Sequence, residues 1–97
     1  MFVAVSRITF ESGETSYDQK ELKSLTESLK KRFQVCVKVD REAQSFGHSI
    51  VVTCLDHKNE TLSSRLDKIS LFCEESGFGR IESEETFFDH VENLFEN

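Results

Sequence analysis

The chain has 97 residues and a formal net charge of −6, a length that fits one domain. Nine phenylalanines and an apolar fraction of 37% exclude a disordered chain, which would be poor in aromatic residues. The absence of proline excludes a collagen-like or proline-rich segment, and no apolar run approaches the roughly 20 residues that span a bilayer.

Cysteine usage and charge distribution limit the function further. Cys36, Cys54 and Cys73 are odd in number and contain no C-x-x-C pair, which favours free thiols in a reducing cytosol. The short apolar start lacks the basic region of a signal peptide, so we expect a cytoplasmic protein that does not bind membranes. Residues 74–97 carry eight acidic side chains and only one basic one, Arg80. Such an acidic balance disfavours nucleic-acid binding.

The first half of the chain predicts a strand, a helix and a second strand. Residues 2–10 are rich in β-branched and aromatic side chains that alternate in polarity, which is typical of a strand. Ser16 and Gln19 fit a helix capping box, and leucines spaced three and four residues apart extend the helix to about Arg32. Alternation over 33–39 predicts the second strand.

The second half predicts a central strand, a helix, a short strand and a last helix. Residues 49–55 are apolar on both faces, as in a central strand. Asn59 is a good N-cap for the next helix, and Gly77 is placed to end it. Residues 78–83 predict a fourth strand, and 86–97 predict an amphipathic helix with an acidic side.

The element order β-α-β-β-α-β predicts an α+β fold of the ferredoxin-like type. Two crossovers around a hairpin give a split βαβ arrangement, with a four-stranded antiparallel sheet and two helices on one face. Residues 1–85 would form this domain, and residues 86–97 would add a C-terminal helix. The other face of the sheet would then be open.

Three segments of the chain resemble a known family. They are the start MFVAV, the stretch LTESLKKRFQVCVKV from Leu25 to Val39, and LDKISLF from Leu66 to Phe72. They are similar to the segments MIVGV, L…LRxRFNVSVAEV and LDRVLRF of the YlxP-like family, domain of unknown function 503. The resemblance implies a bacterial cytosolic protein without enzymatic activity. The family's genes commonly lie among genes for translation initiation and ribosome maturation, which implies an accessory factor near the ribosome or its RNA.

One face of the first helix gathers positive charge. The lysines lie within an arc of about 100° opposite the leucines. This face could contact the phosphates of ribosomal RNA, or a ribosomal protein, with Arg7 or Lys38 as further contacts. Glu27 lies within the arc, so a solvated helix face with ion pairs explains the same pattern. The contact candidates are Lys20, Lys23, Lys30, Lys31 and Arg32.

The open face of the sheet is the alternative binding surface. Strand parity places Val3, Val5, Val51 and Leu55 on it, and an uncovered apolar patch marks a partner surface. A second copy of the chain, another protein or the predicted C-terminal helix could cover it. The apolar side of that helix could equally complete the protein's own core. The apolar side of the predicted C-terminal helix consists of Phe87, Phe88, Val91, Leu94 and Phe95.

The polar residues predict no reactive site. His48, Cys54 and His57 do not share one strand face, and a zinc site needs four converging ligands. The sequence holds no glycine-rich phosphate loop after a strand. We therefore expect no catalytic residue, metal, cofactor or small-molecule substrate. A small-molecule sensor at a dimer interface is a third hypothesis.

Overall fold

A computed structural model describes residues 1–11, 19–40, 48–76 and 78–95. Its elements, in chain order, are β1 (Phe2–Phe10), α1 (Gln19–Phe33), β2 (Cys36–Val39), β3 (Ser49–Asp56), α2 (Asn59–Glu75), β4 (Ile81–His90) and a 3-10 turn (Val91–Leu94). The predicted capping residue Ser16 and the predicted helix end Gly77 lie outside the described residues.

The four strands form one antiparallel sheet in the order β2-β3-β1-β4. This order follows from the two crossovers, because each helix connection carries the chain past a neighbouring strand. Both helices lie on one face of the sheet, and their apolar residues share its core. The ferredoxin-like α+β fold that the element order predicts is therefore confirmed.

The core lies between the helices and one face of the sheet. As the spacing predicts, both helices bury one apolar stripe, with Leu22, Leu25 and Leu29 from α1 and Leu62, Leu66, Ile69 and Cys73 from α2. The sheet supplies alternate residues of its central strands, such as Ala4 and Ile8 of β1 and Val52 of β3. The Phe10 and Phe78 rings meet edge to face, 4.9 Å apart, and close one end of this core.

α1 ends one residue beyond the predicted Arg32, but β2 begins three residues later than predicted. Phe33 is the last helical residue, although its spacing from Val35 suits a strand. Gln34 takes the left-handed conformation, with φ of 53°, and its N–H donates to the Lys30 carbonyl at 3.0 Å. This geometry terminates the helix and redirects the chain, so β2 begins only at Cys36.

Polar side chains stabilise both ends of α2, and the N-cap differs from the predicted Asn59. Lys58 is the N-cap, and Asn59 is already helical. The Asp56 carboxylate accepts the Lys58 N–H at 3.2 Å, which stabilises the turn before the helix. At the other end, the Ser76 hydroxyl donates to the Cys73 carbonyl at 2.6 Å and accepts the Phe78 N–H at 3.2 Å.

The predicted C-terminal helix over 86–97 is wrong for its described residues, 86–95. Residues 86–90 are extended and belong to β4, which pairs with β1 from Phe10 opposite Ile81 to Phe2 opposite His90. Only Val91–Leu94 turn, and they form a 3-10 helix. The apolar spacing suits a helix locally, but the backbone groups of β1 need a partner on this side, and Thr and Phe residues are good strand formers.

Candidate functional site: the open sheet face

Strand parity and register determine which side chains lie on the open face. Ala4 and Ile8 point to the helices, so the odd-numbered residues of β1 point away from them. Val5 lies between Thr53 of β3 and Phe87 of β4, and its neighbour Val3 lies between Leu55 and Asp89. Residues that face each other across an antiparallel pair share one side of the sheet.

An apolar patch occupies the centre of this face. Its exposed members are Val5 (36% exposed), Leu55 (52%) and Phe87 (58%), which we call the open-face patch. Of the other predicted contacts on this face, Val3 is only 7% exposed and Val51 is half-buried, so they contribute little to the exposed patch. Strand parity in the sequence placed Val5 and Leu55 here, but the helical spacing assigned Phe87 to a helix.

Charged side chains surround the patch in an uneven arrangement. Arg7 bridges two acidic residues, with its Nε 3.2 Å from Asp40 Oδ2 and its Nη1 3.8 Å from Glu85 Oε2. Glu85 and Asp89 make the β4 margin of the face acidic, while β2 places Lys38 at the other margin, opposite Val51. Within the described ranges Lys38 makes no ion pair.

The phenylalanines of β4 do not share one face. Successive residues of a strand point to opposite sides, so Phe87 lies on the open face and Phe88 lies on the helix side beside Ser6 and Leu66. Val91 is half-buried in the 3-10 turn. Leu94 and Phe95 are exposed at its end. The helix prediction placed all of these residues on one apolar side, and that prediction is therefore wrong.

The cations of α1 separate into two groups. Lys23, Lys30 and Lys31 lie on the outer surface of the helix, and the Lys30 ammonium is 3.7 Å from Glu27. The Arg32 guanidinium instead lies over the Phe72 ring of α2, 5.2 Å from its centroid. Lys20 is in α1, but its side chain lies outside the described part. The predicted additions Arg7 and Lys38 do not join this helix surface, because they lie on the opposite face of the sheet.

A groove that the sequence did not indicate runs between the end of α1 and α2. It encloses about 900 Å³ and is lined by side chains of both signs, including Arg32, Lys68, Glu60 and Glu75. Arg65 also lines it and is held by the Asp56 carboxylate at 2.9 Å. Thr61, Arg65 and Lys68 are spaced four and three residues apart, and this spacing in the sequence could have indicated that they line one side of α2. Its mixed charge indicates no particular ligand.

The buried thiols and the histidines lack the features of a reactive centre. Burial raises the pKa of the Cys54 and Cys73 thiols, the latter to about 12, so both are protonated at neutral pH. His48 contacts the Phe78 ring, and His57 is exposed. Among the described residues, no three metal-binding side chains come together.

Comparisons with known proteins add little to this description. No protein-family model matches the chain, and no curated protein matches it. Among solved structures, the chain is similar to the de novo designed protein Ferredog-Diesel, with a TM-score of 0.45 and 18% identity over 91% of this chain and 84% of the designed one. In the described part of the chain, neither helix has the length and apolar content needed to cross a membrane.

Proposed function

We propose that this chain is a non-catalytic protein-interaction module that self-associates through the open face of its sheet. The observation that carries this proposal is the open-face patch. Val5 and Phe87 are direct cross-strand neighbours, and Leu55 lies diagonally beside Val5, so three exposed apolar side chains are contiguous. Contiguous apolar surface of this kind on the outside of a domain is typical of a partner interface.

The charges around the patch favour a second copy of the same chain as the partner. A twofold axis parallel to the strands stacks two open faces so that β4 of one copy lies over β2 of the other. In the register of the sheet, Glu85, Arg7, Val51 and Lys38 form one row across the four strands. The rotation reverses this row, so Glu85 of each copy faces Lys38 of the other.

The size of the face sets the expected strength of this association. The paired segments of β1, β3 and β4 are about 25 Å long and that of the four-residue β2 is about 13 Å, so at about 4.8 Å per strand the face has a footprint of about 400 Å² per copy. A standard stable interface buries about 800 Å² per partner. We therefore expect a weak dimer rather than a permanent one.

Replacing Leu55 by serine tests the proposal. Leu55→Ser removes apolar area from both copies at once, and at about 25 cal/mol per Å² this weakens the dimer at least about tenfold. Leu71→Ser is the matched control, because Leu71 is 55% exposed but lies on α2, on the other side of the protein. Sedimentation equilibrium over a range of concentrations measures the dimer dissociation constant of both variants and of the wild type. A wild-type chain that keeps its 11.2 kDa mass at millimolar concentration would overturn the proposal.

RNA binding through α1 is the second candidate function. Lys23 and Lys31 favour it, because both are exposed and neither forms an ion pair with any described residue. The last turn of α1 also concentrates basic side chains, namely Lys30, Lys31 and Arg32. Together with the resemblance to the YlxP-like family, these cations support a contact with ribosomal RNA phosphates.

The salt dependence of binding to purified ribosomal subunits tests this second candidate. Each phosphate contact adds about −0.7 to −0.9 to the slope of log affinity against log salt, so changing Lys23, Lys30 and Lys31 to glutamine should reduce the slope by about two units. In the control variant, three lysines outside α1 are changed to glutamine instead, namely Lys38, Lys58 and Lys68. Absence of binding at low salt, or an equal effect of the control, would exclude this function.

A further inference from the structure

The outer edge of β4 is a long stretch of backbone without a strand beside it. Within the described residues, β4 pairs only with β1, and it is ten residues long. The edge strand on the opposite side, β2, has only four residues. An edge strand presents alternate N–H and C=O groups outward, and an extended peptide can bind to them as an added strand.

We propose that this edge binds an extended, basic peptide segment of a partner protein as a fifth strand of the sheet. Residues 82–88 are all exposed, so both sides of the strand leave room for the side chains of an added peptide. The proposal goes beyond self-association through the open face, because it uses the backbone at the margin of the sheet rather than its surface.

Charge determines which peptide fits. β4 contains Glu82, Glu84, Glu85 and Asp89 but no lysine or arginine. Glu84 points to the helix side with Ile8 as its partner, and Glu85 and Asp89 point to the open side, so carboxylates line the edge on both faces. Opposite charges across a strand pair are stabilising and like charges are destabilising. A basic segment is therefore favoured, and a second β4 is disfavoured as the added strand.

A groove on the helix side gives the basic residues a specific position. It has a volume of about 230 Å³ and runs between α2 and β4, because α2 packs over β1 and β3. Asp67 of α2 and Glu84 of β4 both line it, and Asp67 forms no ion pair with any described residue. Strands lie about 4.8 Å apart, so a lysine on the added strand can reach back over β4 to these carboxylates. Phe88 would cover its methylene stem.

Fluorescence anisotropy with a synthetic peptide tests the proposal. The probe is a fluorescein-labelled ten-residue peptide in which lysine and threonine alternate, with a glutamate–threonine peptide as its acidic counterpart. We expect the lysine peptide to bind and the glutamate peptide not to bind. Failure of the lysine peptide to bind at low salt would overturn the proposal.

Two N-methylated isomers distinguish strand addition from simple charge attraction. In an extended strand the N–H groups of the lysines point to one edge and those of the threonines to the other. One isomer is methylated at the lysine N–H groups and the other at the threonine N–H groups. Methylation removes the hydrogen-bond donors along one edge of the peptide, so one isomer loses the edge that meets β4 and the other loses only the free edge. We expect one isomer to bind at least about tenfold more weakly than the other. Because the peptide can run in either direction along β4, the decisive probe is a peptide methylated at both sets of N–H groups: binding as tight as that of the unmethylated peptide would overturn strand addition.

A pair of matched protein variants locates the binding site. Asp67→Asn with Glu84→Gln removes the two groove carboxylates and should weaken binding by about threefold to tenfold. Glu60→Gln with Glu75→Gln removes the same charge from the side of α2 that faces α1, and should have little effect. None of these residues lies on the open face, so the dimer test and this test can fail independently. An equal loss for both pairs would refute the assignment to β4.

Discussion

At the scale of single residues, the environment of Cys73 shows how burial disfavours the reactive form of a thiol. Cys73 is fully buried on the stripe of α2 that faces the sheet. Burial, and to a smaller extent the nearby carboxylates of Glu84 and Glu74, raise the pKa of this thiol from its ordinary value of 9.0 to about 12. The thiolate, which is the reactive form, is therefore disfavoured in the folded chain.

The raised pKa of Cys73 predicts a loss of stability at alkaline pH. The thiol is deprotonated near pH 9 in the unfolded chain but only near 12 in the folded chain. Between these values unfolding releases a proton, so this contribution to the free energy of unfolding is complete below pH 9 and falls as pH rises, by about 1.4 kcal/mol per pH unit. Cys73→Ala should lack this part of the slope.

Urea denaturation of wild type and Cys73→Ala at pH 10 and 11 measures the difference. The slope is compared rather than the absolute free energy of unfolding, because the smaller side chain also leaves a cavity. Cys36→Ala is the control, since it removes an exposed thiol and opens no cavity in the core. Identical slopes for wild type and Cys73→Ala between pH 10 and 11 would contradict the assignment of this effect to Cys73.

At the same scale, the sequence identifies buried residues better than it identifies charge partners. The leucine spacing of α1 requires one buried face, so Leu22 and Leu29 could be placed from the sequence alone. The bridge from Arg7 to Asp40 and Glu85 could not, because these residues are far apart in the chain. Only the strand register brings the three together.

At the scale of whole elements, the errors occur where local pattern and tertiary pairing disagree. The apolar residues from Phe87 to Phe95 have helical spacing, which competes with the β propensity of Thr86, Phe87 and Phe88. Pairing along the full length of β1 outweighs that preference, so β4 extends to His90. β1, α1, β2 and β3 were predictable, because the apolar pattern of each segment matches the face that it buries in the fold.

The end of α1 gives a smaller case of the same disagreement. Phe33 matches both the helical stripe of α1 and the alternation of the following strand. Its ring meets Phe72 of α2 edge to face, with 5.8 Å between the centroids, and this contact holds Phe33 against α2. The left-handed Gln34 then follows, and pattern alone does not reveal such a conformation in a residue other than glycine.

At the scale of the whole molecule, the fold separates three surfaces with different chemistry. The open face is apolar, with the carboxylates of Glu85 and Asp89 on its β4 margin and Lys38 on its β2 margin, where Asp40 is paired with Arg7. The outer face of α1 is basic, and the β4 edge is acidic. The open face carries complementary charges on its own opposite margins. A surface of this kind can bind a copy of itself, whereas a surface with one sign of charge repels its copy.

This self-complementarity predicts the outcome of a charge exchange. Lys38→Glu places glutamate opposite Glu85 of the other copy, and Glu85→Lys places lysine opposite Lys38, so each variant alone should dimerise at least about threefold more weakly than wild type. In an equimolar mixture, the heterodimer places the introduced glutamate of one variant opposite the introduced lysine of the other. At the second contact of the same heterodimer, the native Glu85 faces the native Lys38.

The mixture distinguishes a specific face-to-face dimer from general stickiness of the apolar patch. Because the heterodimer regains both ion pairs, sedimentation equilibrium of the mixture should show tighter association than either variant alone. A mixture of Lys38→Glu with Glu60→Lys is the control, since Glu60 lies in the first turn of α2 and its change to lysine should not compensate. If all mixtures behave as the average of their components, charge does not orient the two faces, and the twofold arrangement proposed for the open face is wrong.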